Sequence, residues 1–172
     1  MLSKKVESEF NKQINAETFS AYLYWSMSAA LERMNLPGFA NWMRCQGQEE
    51  MLHAMKFYSH IIERGGTVTL TAIEAPKTRW SGAADIFEDA YKHEQKVTGL
   101  INGLVDLAIE EKDHASNMFL QWFVTEQVEE EASADEVIQK LKLVGDAQGA
   151  MFMLDKEMAA RVFTPPAAEG GQ

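Results

Sequence analysis

With 172 residues, 46% of them hydrophobic, the chain can bury one substantial core, and its single cysteine, Cys45, excludes an intrachain disulfide and any four-cysteine metal cluster. Its 26 acidic and 16 basic residues leave a net charge of −10, which repels nucleic acid and anionic membranes and suits cations, besides serving solubility. No segment reaches the ~18 continuous apolar residues that span a bilayer, and the polar start Met1-Leu2-Ser3-Lys4-Lys5 has no apolar signal region, so a cytoplasmic protein with no nucleic-acid or membrane partner is expected.

Only four prolines interrupt long runs of Ala, Leu, Met, Glu, Gln and Lys, the strong helix formers. A first helix is predicted over 3–33, with Ser3 as N-cap. Its inward stripe is Phe10, Ile14, Glu17, Ala21, Tyr24, Ser28 and Leu31, a bundle seam interrupted by Glu17. Asn35-Leu36-Pro37-Gly38 breaks the chain so briefly that the next helix must run antiparallel. That second helix, over 38–64, carries Phe39, Met43, Gln46, Glu50, His53, Phe57 and Ile61, and Gly65-Gly66 ends it.

Residues 66–81 show no helical period, and so long a loop in one domain asks for a reason. The second helix would be ~40 Å long, whereas sixteen extended residues reach ~50 Å. The loop can therefore cross the whole bundle and start the third helix at the end where the second began. A third helix over 81–112 turns Ala90, Glu94, Val97, Ile101, Leu104 and Ala108 inward, and Asp113-His114 breaks it. A fourth over 115–143 turns in Leu120, Phe123, Gln127, Glu130, Ala134, Val137 and Leu141. Gly145 stops it, and Asp146 is the expected N-cap of a short fifth helix through 161. Met151, Phe152, Met153, Leu154 and Met158 make that helix apolar enough to pack against other subunits. The fold class expected is all-α: an up-down four-helix bundle with one long crossover between helices 2 and 3 and a short C-terminal helix. One domain would cover 1–163, and 164–172, with Pro165 and Pro166, would be a disordered tail.

Each long helix carries a polar group midway along its apolar stripe, and the spacing repeats. The interval from Glu17 to Glu50 equals that from Glu94 to Gln127, and His53 and Glu130 each follow one helical turn later. One constant offset thus carries Glu17, Glu50 and His53 onto Glu94, Gln127 and Glu130. It also maps Glu49 onto Glu126, an internal repeat kept by its polar groups. A single Glu on an apolar stripe is adequately explained as a satisfied polar residue. Four acidic groups, a His and a Gln at one height are not, because buried like charges demand cations or protonation. Carboxylates with few histidines suit Fe(II) or Mn(II), whereas structural zinc takes cysteine and more histidine.

Over residues 1–163 the chain resembles the non-haem bacterial ferritins. The likeness rests on Glu17 with Tyr24, on Gln48-Glu49-Glu50-Met51-Leu52-His53, on Tyr91-Lys92-His93-Glu94-Gln95, and on the run from Phe119 through Glu126-Gln127-Val128-Glu129-Glu130. The resemblance implies iron storage with a ferroxidase centre oxidising Fe(II) to Fe(III) with O2. Glu17, Glu50 and His53 would hold the first iron, and Glu50 would bridge to a second held by Glu94 and Glu130, with Gln127 as a polar partner. A third iron position would use Glu49, Glu126, Glu129 and Glu130. Family members assemble as hollow shells of twenty-four identical subunits filled with ferric mineral.

Two relatives offer rival readings. The haem-containing bacterioferritins would have His at the place of Glu130 and bind haem through a methionine; Met51 sits in the matching place, but the missing histidine weighs more, and no haem is expected. A rubrerythrin-like di-iron peroxidase would normally bring a cysteine-rich rubredoxin unit, which one cysteine cannot make. Tyr24, one heptad from Glu17, could donate an electron, hydrogen-bond a ligand, or simply pack. Trp122, His60, His93 and His114 are read as structural or solvent-facing, and Cys45 as a small buried residue.

Overall fold

Ser3 opens the first helix as expected: its Oγ accepts from the Val6 amide at 3.3 Å. A computed structural model describes residues 2–164. Helix α1 (Lys4–Arg33) is followed by α2 (Pro37–Glu63), α3 (Ala83–Glu110), α4 (His114–Val144) and the short α5 (Gln148–Met158), and no strand occurs among the described residues. The first four helices begin and end within two residues of the predicted bounds, the scatter normal for helix ends. His114, expected in the break, is the first residue of α4, which Asp113 caps by accepting from the Ser116 amide at 3.2 Å. Asn35 and Gly65 both take positive φ, 57° and 71°, and turn the chain after α1 and α2.

The crossover runs the length of α1, held by polar side chains that satisfy a backbone without its own ladder. Asn11 accepts from the Thr69 amide at 2.6 Å and donates to the Thr67 carbonyl at 3.0 Å. Asn15 donates to the Ala72 carbonyl at 2.9 Å, Ser26 to that of Lys77 at 2.6 Å, and Arg33 to that of Thr78 at 3.0 Å. These contacts climb α1 from one end to the other, and α3 starts where the length argument places it.

Every residue of the four predicted inward stripes is buried. The apolar core is split in two. One half packs Phe10, Phe57, Ile61, Ile101, Leu120 and Phe123; the other packs Met27, Leu31, Phe39, Met43, Phe87 and Leu141. Between them lies a layer of buried polar side chains. A close approach of α1 and α2 is made at Gly47 of α2, where an added Cβ would lie 2.4 Å from Trp25 Nε1 of α1.

The fifth helix departs from expectation. Asp146 is not its cap: it falls in the turn made by Gly145 at φ +51°, and Ala147 takes the N-cap position without a side-chain bond. Nor does α5 serve only other subunits, since Leu154 and Met158 are buried in the core of its own bundle. Asp155 accepts from the amides of Gly38 and Phe39 at 2.9 and 3.0 Å, supplying the N-terminal cap that Leu36 does not give α2. Its outer face, with Phe152 and Met153, is exposed. The tail beyond Thr164 lies outside the described residues. Among the described residues, no helix is long and apolar enough to cross a membrane.

Candidate metal centre

Glu17, Glu50, His53, Glu94, Gln127 and Glu130 all lie in the buried polar layer. Helix periodicity puts them there: each sits on the inward stripe of its helix, and the stripes turn apolar above and below this layer, so the polar ends cannot turn to water. Donor atoms of Glu17, Glu50 and His53 come within 4.8 Å of one another, and so do those of His53, Glu126 and Glu130. His53 is common to both groups, with Nδ1 3.5 Å from Glu50 Oε2 and Nε2 3.9 Å from Glu126 Oε1. The imidazole therefore presents one nitrogen to each side of the centre. Trp122 and Phe123 hold its ring edge-on, at centroid distances of 5.4 and 5.8 Å.

The carboxyls are only partly satisfied. Glu17 Oε1 accepts from Gln13 at 2.8 Å, and Glu130 Oε2 from Gln46 at 2.6 Å. Glu94 accepts from the Tyr24 hydroxyl through one oxygen and from Gln127 through the other, at 3.2 Å. Among the described residues, Glu17 Oε2 and Glu50 Oε2 are buried with no hydrogen-bond partner. A buried carboxylate oxygen without a donor is costly unless a proton or a cation meets it.

Burial dominates the electrostatics. It pushes the Glu17 carboxyl up to about 7 and those of Glu50 and Glu130 well above the usual range, where mutual repulsion, with Glu94 foremost, adds to it. Glu94 is also raised by burial, against the donors Tyr24 and Gln127. Burial holds the His53 imidazole down at about 4, so at neutral pH it is an uncharged ligand group. Four carboxyls that resist ionisation and one neutral imidazole form a site that a hard or borderline cation would complete.

Glu94 joins neither donor group: Tyr24 and Gln127 hold its carboxyl. Of the residues expected at the outer position, Glu126 and Glu130 meet at His53, while Glu129 is exposed. Glu49 is taken by an ion pair with Arg161, Nη2 to Oε2 at 2.6 Å. Tyr24 is buried, with its hydroxyl on Glu94.

The remaining polar residues behave as packing groups. His93 Nε2 shares a 2.7 Å hydrogen bond with Ser20 Oγ, and His60 stacks on Phe119 at 4.1 Å. Cys45 is buried. Sequence reasoning missed Gln13 and Gln46 as carboxylate donors. A signal was present, because the interval between these two is the one that separates Glu17 from Glu50, and each lies one turn before a ligand candidate.

Comparison with known proteins fits this geometry. A family model described as a ferritin-like domain matches residues 7–144. The bacterial non-haem ferritin of Bacteroides fragilis (strain 638R) is 44% identical over 161 residues, covering 94% of this chain and 100% of that one. Its counterpart from Staphylococcus saprophyticus is 41% identical over 163 residues, covering 95% and 98%. Among solved structures, an open-pore ferritin from the hyperthermophilic archaeon Archaeoglobus fulgidus superposes with a TM-score of 0.93 at 49% identity, over 94% of this chain and 100% of that one. A closed form of the Archaeoglobus protein, engineered by site-directed mutagenesis, gives 0.94 at 49% identity, over 95% and 100%.

Proposed function

Because the chain belongs to the ferritin family, in its non-haem branch, we propose that its buried polar layer is where the iron it stores is bound and oxidised. The protein is an iron-storage ferroxidase: it oxidises Fe(II) to Fe(III) and keeps the ferric product as mineral, without haem. The observation that carries the assignment of the site is the pair of unpartnered oxygens, Glu17 Oε2 and Glu50 Oε2, beside His53.

In this reading Glu17, Glu50 and His53 take the first Fe(II). Glu50 reaches toward the second, which Glu94 and Glu130 take, while Gln127 and Tyr24 keep Glu94 aimed. Two cations release the carboxyls from their repulsion, so they can ionise and stay buried. Anionic oxygen ligands favour Fe(III) over Fe(II), and the layer holds two ions close enough for O2 to take one electron from each. Gln13 and Gln46 orient Glu17 and Glu130 through the oxygens at 2.8 and 2.6 Å. Glu126 extends the centre outward from His53, with Glu49 and Glu129 on the same outer side. The two iron positions are chemically unequal, since one imidazole serves where a symmetrical centre would have two.

Ferritins are oligomeric cages, and this chain exposes Tyr22 and Trp25 on α1, Met118 and Val128 on α4, and Phe152 and Met153 on α5. Such apolar surface supports a closed homo-oligomer, for which we propose twenty-four subunits in the cytoplasm. Stopped-flow oxidation of Fe(II) tests the site: Glu50→Ala and His53→Ala are expected to lose the fast phase, and an unchanged rate in either overturns the assignment. Native mass measurement tests the shell, and a monomer or dimer overturns it.

A further inference from the structure

The segment after α5 reaches back to the iron centre through one residue. Arg161 lies along a single face of α2, gripped at four positions. Its main-chain carbonyl accepts from Asn41 Nδ2 at 2.9 Å and from Cys45 Sγ at 3.6 Å. Its guanidinium sits 4.2 Å over the Trp42 ring and donates to Glu49 Oε2 at 2.6 Å. Asn41, Cys45 and Glu49 follow one another at single-turn spacing, so the contacts form one line along the helix. Both partners of the ion pair are only 22% exposed, which removes most of the screening that weakens surface pairs. The second guanidinium nitrogen, Nη1, is buried and has no hydrogen-bond partner among the described residues.

Glu49 borders the outer side of the centre. Burial is the main cause that raises the carboxyls of Glu94, Glu130 and Glu49; the Glu49 charge adds to it at the first two, while at Glu49 itself Arg161 opposes it and Glu126 adds to it. Yet the outer donor group contains His53, Glu126 and Glu130 and leaves Glu49 out, because its carboxylate is turned to Arg161. A guanidinium here occupies the electrostatic role that a bound cation would otherwise have.

We propose that Arg161 is a positioning residue of the iron centre: its guanidinium holds Glu49 in place of an outer cation, and the position beside Glu126 and Glu130 acquires Glu49 as a ligand only when Arg161 releases it. This rests on the reading of the buried layer as the two-iron site. The C-terminal segment then sets how readily a third cation joins the first two. A ligand locked in a competing arrangement lowers apparent affinity by the fraction of time it is unavailable.

The test uses the assembled, metal-free protein and Zn(II), a redox-inert probe, in equilibrium titrations against a chromophoric chelator. Arg161→Gln is expected to tighten the third Zn(II) per subunit by about tenfold while leaving the first two unchanged. Arg161→Met, which keeps the aliphatic stem against Trp42, gives the same comparison if the amide variant does not assemble. In a Glu49→Gln background the effect of either change is expected to vanish, as it must if Arg161 acts through that carboxylate. Third-site affinity that is unchanged or weaker on loss of Arg161, or an effect that survives Glu49→Gln, overturns the proposal. Fewer than two Zn(II) ions bound by the unaltered protein, or two still bound tightly by Glu50→Ala, overturns the two-iron reading instead.

Discussion

Glu50 carries a buried oxygen with no hydrogen-bond partner among the described residues, an arrangement that costs the ionised, metal-free fold and that the proposed iron site would use. The proposed ligands should therefore trade stability against function. Glu50→Gln, isosteric and uncharged, is expected to stabilise the metal-free protein at pH 8 by about 2 kcal/mol, the scale of an unmet buried polar group. The same change should abolish rapid Fe(II) oxidation. Urea midpoints of the two metal-free proteins decide it, and a lower midpoint for the variant sinks the idea. Gln46 should behave oppositely: Gln46→Leu removes the donor to Glu130 at 2.6 Å and is expected to cost about 1–3 kcal/mol without metal. Bound Zn(II) should shrink that loss, since a cation then meets the carboxylate, and thermal melts with and without the ion make the comparison. The ligand candidates were legible in the sequence because a charged group on an apolar stripe violates its surroundings, and the violation recurs at the same interval in both halves. Arg161 was not, because it lies in irregular chain and its partner Glu49 is 112 residues away.

Helices α1 to α4 are each written into the sequence by an apolar stripe of mixed three- and four-residue steps, and burial follows those stripes without exception. The crossover was legible through length alone, since an extended segment of sixteen residues is long enough to span the bundle. Its fastening to Asn11, Asn15, Ser26 and Arg33 was not, because polar side chains on an outward face carry no period. The docking of α5 escaped for a related reason: a short helix with apolar residues on every side does not reveal which side faces inward. Asp155 settles its seat by capping α2 through Gly38 and Phe39. Asp155→Ala is expected to cost about 1 kcal/mol, as lost caps do, and to loosen α5. Limited proteolysis reads the second effect: cleavage between α4 and α5 should quicken in the variant, and equal rates would show that Leu154 and Met158 alone hold the helix. Gly38→Ala should act more severely, because its Cβ would lie 1.7 Å from the Asp155 carbonyl oxygen.

For the molecule as a whole, the polar layer between two apolar half-cores links stability to pH and to metal. The Glu17 carboxyl is raised from 4.5 to about 7, so its contribution is fully present below pH 4.5 and is lost as pH rises through 7. That one shift is worth on the order of 3 kcal/mol, and Glu50, Glu94 and Glu130 are raised in the same sense. Histidine acts the other way. His53 and His93 are both held from 6.5 down to about 4 by burial, so their contribution is present above pH 6.5 and lost as pH falls toward 4. From pH 6.5 upward the folded imidazoles are neutral and the unfolded ones, half protonated at pH 6.5, release only that remainder, a small gain in stability beside the loss from the carboxyls. The metal-free protein should thus be most stable on the acid side of neutrality and lose stability from pH 6.5 to 8. Divalent metal reverses the slope: it binds ionised carboxylates, so its stabilisation grows as protons leave. Melting temperatures at pH 6.5 and 8, with and without saturating Zn(II), are expected to give a metal-induced increase that is larger at pH 8. An increment that is equal at both values, or larger at pH 6.5, would mean that the buried carboxyls are not where the cation binds.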